Sequence, residues 1–405
     1  MSRSQAPLGP AALITLGLLA AAAPLTTDLY LAAFPVMTVD LETTATGVQL
    51  SLTALLVGAG AGQVLFGPWS DRAGRMLPLV VGLVVYVGAS VVAAMAPTIT
   101  VLVSARLVQG VGGAAGMVIG RAMILDRQSG TAAARALNIM MAMTGIAPIV
   151  APLLGSLLVG PLGWRGLLWI ITGLAVVSLV ATLVVLRETL PRDERDRRAA
   201  DRETGAWRSL LTVPFVGATL SFAFAMGVLM AYISASPFVY QSVIGMGEVA
   251  YGLAFAVNAL GMTAATILST RLSRRYSLRR LAGTSLAISG LGVVMTLVVA
   301  LTGSDPWLLA IPLFIAIAPL GMVLGNVSAI AMSAVSPRST GLASAVLGLL
   351  QFALAGIVAA LVGLGGETTA VPMLIIMLLC AALAASGLVA ASRAQGVRHS
   401  ETVDV

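Results

Sequence analysis

Apolar positions along this chain do not alternate with polar ones; they run on. Stretches of about 20 apolar residues, the length that crosses a bilayer, recur at about 10–35, 47–69, 77–96, 98–122, 135–160, 164–186, 211–239, 249–270, 281–302, 306–333, 340–364 and 370–391. Short polar or glycine- and proline-bearing segments separate them. At 1.5 Å per residue each run spans a hydrocarbon core about 30 Å thick, whereas barrel strands would change character every second residue. The pattern predicts twelve transmembrane helices, an all-α polytopic membrane protein.

The polar segments organise these runs. The longest, RETLPRDERDRRAADRETGAWR (Arg187 to Arg208), carries seven arginines against six acids and falls between the sixth and seventh runs. It reads as a solvated linker joining two halves. The expected division is a first six-helix half over 1–186, a linker over 187–210, a second half over 211–392 and a tail over 393–405. A duplicated short basic loop supports this: SDRAGR at Ser70 to Arg75 and SRRYSLRR at Ser273 to Arg280. Two halves around a central cavity are the corresponding architecture. With the amino terminus inside, the inner loops take Arg72, Arg75, Arg127, Arg135, the 187–208 cluster, Arg271 to Arg280, Arg338, Arg393 and Arg398, while the outer loops keep only Arg165. That bias predicts both termini in the cytoplasm. Arg3, the first apolar run and AAAP at Ala21 to Pro24 imitate a cleaved signal peptide. Retention is expected, because cleavage would leave eleven runs in a chain that otherwise divides six and six.

Composition narrows the functions open to the chain. Of 405 residues, 59% are hydrophobic and 10% charged, with mean hydropathy +1.01, too apolar to cover a soluble surface. All 23 basic residues are arginine, so no phosphate-binding loop that depends on lysine can form. One histidine, His399, lies in the tail, and one cysteine, Cys380, lies in the last run. A histidine triad, a zinc site and a disulfide framework are therefore excluded, and neither enzyme activity, metal nor cofactor is expected. A pI near 10.4 would suggest nucleic acid in a soluble protein, but these arginines flank apolar spans and read as orientation signals. The bilayer is the expected partner, nucleic acid is not, and the chain is expected to work as a monomer.

A few polar residues stand inside the runs. Asp28 is the only charge in the first, and Arg106 shares one helix face of the fourth with Gln109, Gly110, Gly113 and Met117. A central arginine costs about 2.5–3.5 kcal/mol to insert, so it faces protein or an aqueous cavity. Either Asp28 and Arg106 form a structural ion pair, or each lies near enough to an interface to reach headgroups, or they serve protons or substrate. In the fifth run Asn138, Met141, Gly145, Pro148, Pro152 and Gly155 form a stripe of small and helix-distorting residues suited to close packing and bending. Gly58 and Gly62 make a smaller such contact in the second. Tyr232, Tyr240, Asn258, Asn326 and Gln351, with Met226, Met230, Phe255 and Met262 nearby, suit amphiphilic organic molecules better than sugars.

These residues also carry a family resemblance. GPWSDRAGR (Gly67 to Arg75) resembles the loop signature G-x-x-x-D-R-x-G-R of the major facilitator superfamily. RLVQGVGGAAG (Arg106 to Gly116) is similar to its fourth-helix motif, and GIAPIVAPLLGSLL (Gly145 to Leu158) to the fifth-helix motif of its drug/proton antiporters. DLYLAAFPVM (Asp28 to Met37) and YISASPFVYQ (Tyr232 to Gln241) resemble the Bcr/CflA branch, exporters of compounds such as bicyclomycin and chloramphenicol. Met76 departs from the basic residue usual after the loop signature, and Ala147 and Ala151 stand where other antiporters often carry glycine.

The resemblance implies alternating access powered by the proton gradient, with a small drug molecule and protons as partners and a bacterial cytoplasmic membrane as location. Asp28 would carry the proton with Arg106 beside it, burial and the guanidinium acting in opposite senses on the carboxyl. Tyr30, Gln109, Met141, Tyr232, Tyr240, Asn258, Asn326 and Gln351 would contact substrate. Gly67, Asp71, Arg72, Gly74 and Arg75 would latch one side shut against helix ends including Arg121 and Asp126, and Gly145, Pro148, Pro152 and Gly155 would serve the conformational change. At about 2.3 kcal/mol per charge per 100 mV, one proton sustains roughly a fifty-fold gradient of neutral drug. A metabolite transporter of the same fold, a passive channel and a membrane scaffold are the alternatives.

Overall fold

The computed structural model describes residues 8–192, 195, 210–336, 340–366 and 368–401, without the side chains of 340–341 and 394–401. Most of the linker (193–194 and 196–209), Arg338, and the side chains of Arg398 and His399 thus lie outside the described residues. Regular structure among the described residues is helical throughout: α1 (Pro10–Asp28), α2 (Phe34–Asp40), α3 (Ala45–Ala73), α4 (Met76–Ala94), α5 (Ile99–Arg127), α6 (Gly130–Val185), α7 (Val213–Phe238), α8 (Glu248–Leu272), α9 (Leu278–Leu301), α10 (Ala310–Ile317), α11 (Leu320–Ser333), α12 (Thr340–Gly363) and α13 (Val371–Glu401).

Among the described residues, eleven helical stretches are long and apolar enough to cross a membrane. One of them, α6, has 56 residues. At 1.5 Å per residue that is about 84 Å, far more than one crossing needs. It turns at Gly163, whose φ of 65° and ψ of 176° lie outside helical space. Glycine has no Cβ to resist that conformation. Counting α6 twice gives the expected twelve crossings.

Two expected single spans are broken internally. The first ends as α1 at Asp28, passes through a 3-10 turn at Leu31–Ala33 and resumes as α2. Pro35 supplies no N–H and its ring crowds the carbonyl four residues back, at Leu31. The tenth comprises a 3-10 turn at Pro306–Leu309, then α10 and α11, which part at Ala318 and Pro319 for the same reason. Apolarity continues across both breaks, so a hydropathy run cannot reveal them. Pro237 similarly precedes a π-turn, Val239–Val243, that closes α7.

The chain forms two compact units: Met1–Thr43 with Ala54–Arg202, and Thr44–Thr53 with Glu203–Val405. In the first, α1 packs chiefly on α6, and α4 on α5. Leu16, Leu19, Phe66, Leu79, Leu83, Ile119 and Met123 fill the space between. Gly58 and Gly62 bring α3 against the backbone of α5 at Leu107 and Val111, the small-residue contact expected of them. In the second unit α7 packs on α13 and α12, and α9 on α11 and α13. The Cys380 sulfur sits against Gly227 in the α7–α13 seam, and the cysteine is buried.

One expectation fails at the start of the linker, which was to be solvated. Thr189 and Leu190 are 3% and 1% exposed, directly after Glu188, whose carboxylate reaches the turn between α3 and α4. The reason is that the Glu188 carboxylate is drawn in by backbone N–H donors at that turn.

Candidate functional site

Three polar clusters stand apart from the apolar packing. The first lies in the membrane-crossing part of the first unit. Arg106 is fully buried on α5, and its Nη1 donates to Gln109 Oε1 at 2.8 Å and to the Thr26 carbonyl at 3.4 Å. That carbonyl belongs to the last turn of α1, the kind of group a helix end leaves for outside donors. Gln109 Nε2 donates to Ser90 Oγ at 2.7 Å, and Thr26 Oγ1 shares a hydrogen bond with the Tyr86 hydroxyl. The guanidinium carbon lies 3.9 Å from the centre of the Tyr30 ring. Nε and Nη2 of Arg106 have no hydrogen-bond partner among the described residues.

Asp28 ends α1 and is 3% exposed. Thr27 Oγ1 donates to its Oδ1 at 2.8 Å, and the carboxylate forms no ion pair with Arg106. Magnitudes explain how the arginine manages without it. Inserting the guanidinium costs about 2.5–3.5 kcal/mol. A hydrogen bond to a charged group returns about 1.5–3 kcal/mol and a desolvated cation–π contact about 2 kcal/mol. Gln109 and Tyr30 together cover the cost, which leaves Asp28 uncommitted.

The second cluster holds the turn between α3 and α4. Arg75 Nε and Nη2 donate to the two Asp126 oxygens at 2.8 and 3.2 Å, and Nη1 donates to Asp71 Oδ1 at 2.7 Å and Ser70 Oγ at 2.9 Å. Burial alone would lower the Arg75 pKa, but the hydrogen bonds and charges of Asp126 and Asp71 outweigh it and raise it, so the guanidinium stays charged. Glu188 joins from the linker. Its carboxylate accepts the backbone N–H groups of Arg75 (2.9 Å), Met76 (3.2 Å), Thr189 (3.0 Å) and Leu190 (2.9 Å). Arg72 and Arg121 are exposed and in no ion pair among the described residues, so the cluster joins Arg75 to Asp126 without Arg121.

The third cluster lies in the second unit. Tyr232 stacks on Phe255 with centroids 5.6 Å apart and meets Tyr240 edge-on at 6.4 Å, and Tyr251 contacts both Tyr240 and Phe255 at 6.1 Å. Asn258 Nδ2 reaches the Tyr240 hydroxyl at 3.3 Å. Of the residues expected to contact substrate, this cluster gathers Tyr232, Tyr240 and Asn258, and the first gathers Tyr30 and Gln109. Asn326 is elsewhere, accepting from Ser269 Oγ at 3.1 Å; Gln351 is half-buried and Met141 is exposed. The fifth-span stripe divides too. A Cβ at Gly155 would collide with the Leu29 carbonyl beside Asp28, whereas one at Gly145 meets nothing. Pro152 is buried, Pro148 half-buried, and a Cβ at Gly67 would make only ordinary contact with Val118.

Thr26, Tyr86, Ser90, Glu188 and Arg195 were missed from sequence. Tyr86 and Ser90 share a helix face at four-residue spacing, the one available signal for that pair.

A family model described as Major Facilitator Superfamily matches residues 16–360. The uncharacterized MFS-type transporter YdgK of Bacillus subtilis (strain 168) is 35% identical over 373 residues, 91% of this chain and 92% of its own length. The bicyclomycin resistance protein homolog of Haemophilus influenzae is 26% identical, over 91% and 92%, and the multidrug resistance protein MdtL of Klebsiella pneumoniae 27%, over 86% and 88%. Among solved structures, a bacterial homolog to the human lysosomal transporter Spinster, inward-facing and unoccupied, superposes with TM-score 0.75 at 18% identity, covering 95% of this chain and 96% of that one. The nucleoside transporter NupG gives 0.72 at 13%, covering 95% and 98%. Both likenesses concern the fold.

Proposed function

This chain belongs to the major facilitator superfamily, and on that premise we propose that it exports small amphiphilic organic compounds by alternating access, in exchange for protons. The single observation that carries the coupling is Asp28: a 3%-exposed carboxyl at the break between α1 and α2, joined to Thr27 and to no cation. A permanently paired carboxylate would have to give up its cation at each cycle; this one needs only to gain and lose a proton. Its position beside Leu29, whose carbonyl α6 touches at Gly155, ties it to the helix that carries Pro148 and Pro152. Drug and proton oppose each other, so by reciprocity each weakens the binding of the other.

Two observations support an amphiphilic cargo. The aromatic cluster with its Asn258 amide offers apolar faces and one polar handle. Relatives named for bicyclomycin and multidrug resistance match over about nine-tenths of the chain. The working arrangement is a single chain in a bacterial cytoplasmic membrane, both termini in the cytoplasm, with no cofactor beyond the proton gradient.

The test is uptake of fluorescent compounds into inside-out vesicles under an imposed proton gradient, with a drug panel on a pump-deficient bacterium. Asp28→Asn is expected to cut gradient-driven transport by about a hundredfold at unchanged membrane abundance, a rate loss equivalent to about 2.7 kcal/mol of barrier height. Wild-type uptake by that variant, still abolished by a protonophore, would refute the assignment.

A further inference from the structure

We infer that Glu188 is the positioning residue of the α3–α4 latch, and that with Arg195 it caps, from the linker, both helix ends that meet there. The inference rests on the alternating-access reading.

Helix α3 stops at Ala73 and α4 starts at Met76, so last-turn carbonyls and first-turn N–H groups crowd two residues of turn. No side chain of the turn caps α4; its N-cap, Arg75, makes no such bond. Glu188, 113 residues along the chain, supplies it, Oε1 taking the Arg75 N–H and Oε2 the Met76 N–H. Arg195 Nη1 donates to the Ala73 carbonyl at 2.9 Å, at the end of α3. The two capping groups approach each other to 3.6 Å. An anion thus faces a helix N-terminus and a cation a C-terminus, both the favourable sense of the macrodipole.

Gly74 lies between them with φ 94°, and a Cβ there would strike the Arg195 guanidinium and lie 2.6 Å from Glu188 Oε2. The turn therefore needs glycine for its conformation, and a side chain there would also displace the two capping groups. The linker is held to α5 in turn: Arg127 Nη2 donates to the Glu188 carbonyl at 3.1 Å, and Thr189 Oγ1 to Asp126 Oδ2 at 3.0 Å. Asp126 is also the main partner of the Arg75 side chain. Glu188 fixes the Arg75 backbone and Asp126 its guanidinium, so the latch cannot separate from α5 while the carboxylate keeps its donors.

Two readouts on the full-length protein in nanodiscs test this: amide hydrogen exchange over residues 70–80, and transport kinetics. Glu188→Ala is expected to raise exchange over that segment at least tenfold, and to lower turnover several-fold with KM unchanged; Glu188→Gln, which keeps an acceptor oxygen, should fall between it and wild type. The double exchange Glu188→Arg with Arg195→Glu keeps an ion pair but reverses both caps, and is expected to rescue neither readout. Rescue by that exchange, wild-type protection in Glu188→Ala, or lost protection with unchanged turnover would each overturn the inference. Asp28→Asn serves as the control: it should abolish coupling while leaving exchange over 70–80 unaltered. A chain that transports nothing would sink the exporter reading, and the turnover arm of this inference with it, while exchange still decided the caps.

Discussion

Residues of one motif do not carry equal weight here. Gly145 and Gly155 both belong to the fifth-span stripe, yet only the second meets a neighbour, the Leu29 carbonyl next to Asp28. Gly155→Ala must push α6 away from α1, an overpacking expected to cost about 1–3 kcal/mol. Gly145→Ala, with open space around it, should stay within about 0.5 kcal/mol. Thermal unfolding of the two variants in detergent compares them directly; equal effects would mean that the Leu29 contact is not what makes the stripe sensitive. Arg106 shows how far residue-level reading reaches. Its burial was legible from the cost of a charge in an apolar run, and Gln109 from the shared helix face, but the Tyr30 ring and the Thr26 carbonyl were not legible as its partners. An Asp28–Arg106 pair looked natural because sequence exposes formal charges and hides the faces of aromatic rings and helix-end carbonyls.

At the scale of elements, apolar run length located every span, and proline located the internal breaks only in retrospect. The capped turn was illegible for a different reason. Its acceptor lies 113 and 112 residues from its two donors, and the donors are backbone N–H groups that no side-chain pattern advertises. Its pH behaviour follows from Glu188. Desolvation alone would raise that carboxyl, but the N–H groups of Arg75, Leu190 and Met76 and the charge of Arg195 hold it below its ordinary 4.5. A depressed carboxyl contributes stability that is present above its unfolded value and is lost as pH falls through the folded one. Protection of the 70–80 amides should therefore be flat from about pH 8 to about pH 5 and decline only below 4.5. A decline near pH 7 would indicate another titrating group at the turn. Being one-third exposed, Glu188 contributes less to stability than a buried pair of the same geometry.

For the whole molecule, fold class and family were readable because the bilayer imposes a crude, repetitive demand on sequence, and the motif residues recur in order along nearly all of the chain. The arrangement of the residues expected to contact substrate was not, since tyrosines and amides serve equally well between helices or toward a ligand; the cluster of Tyr232, Tyr240, Tyr251 and Phe255 required coordinates. The arginine distribution makes a prediction at this scale. Reporter enzymes fused at Glu42 should be active only outside the cell, and at Ser277 only inside. The opposite pattern would invert the proposed direction of proton flow as well as the topology.

The thiol sealed against Gly227 has a practical consequence. It is the chain's sole sulfhydryl, and with no lysine ε-amines present, maleimides and succinimidyl esters find few native handles. A dye or spin probe attached through a cysteine introduced at will should report from that place alone, so distances could be followed through the transport cycle in a protein otherwise close to wild type.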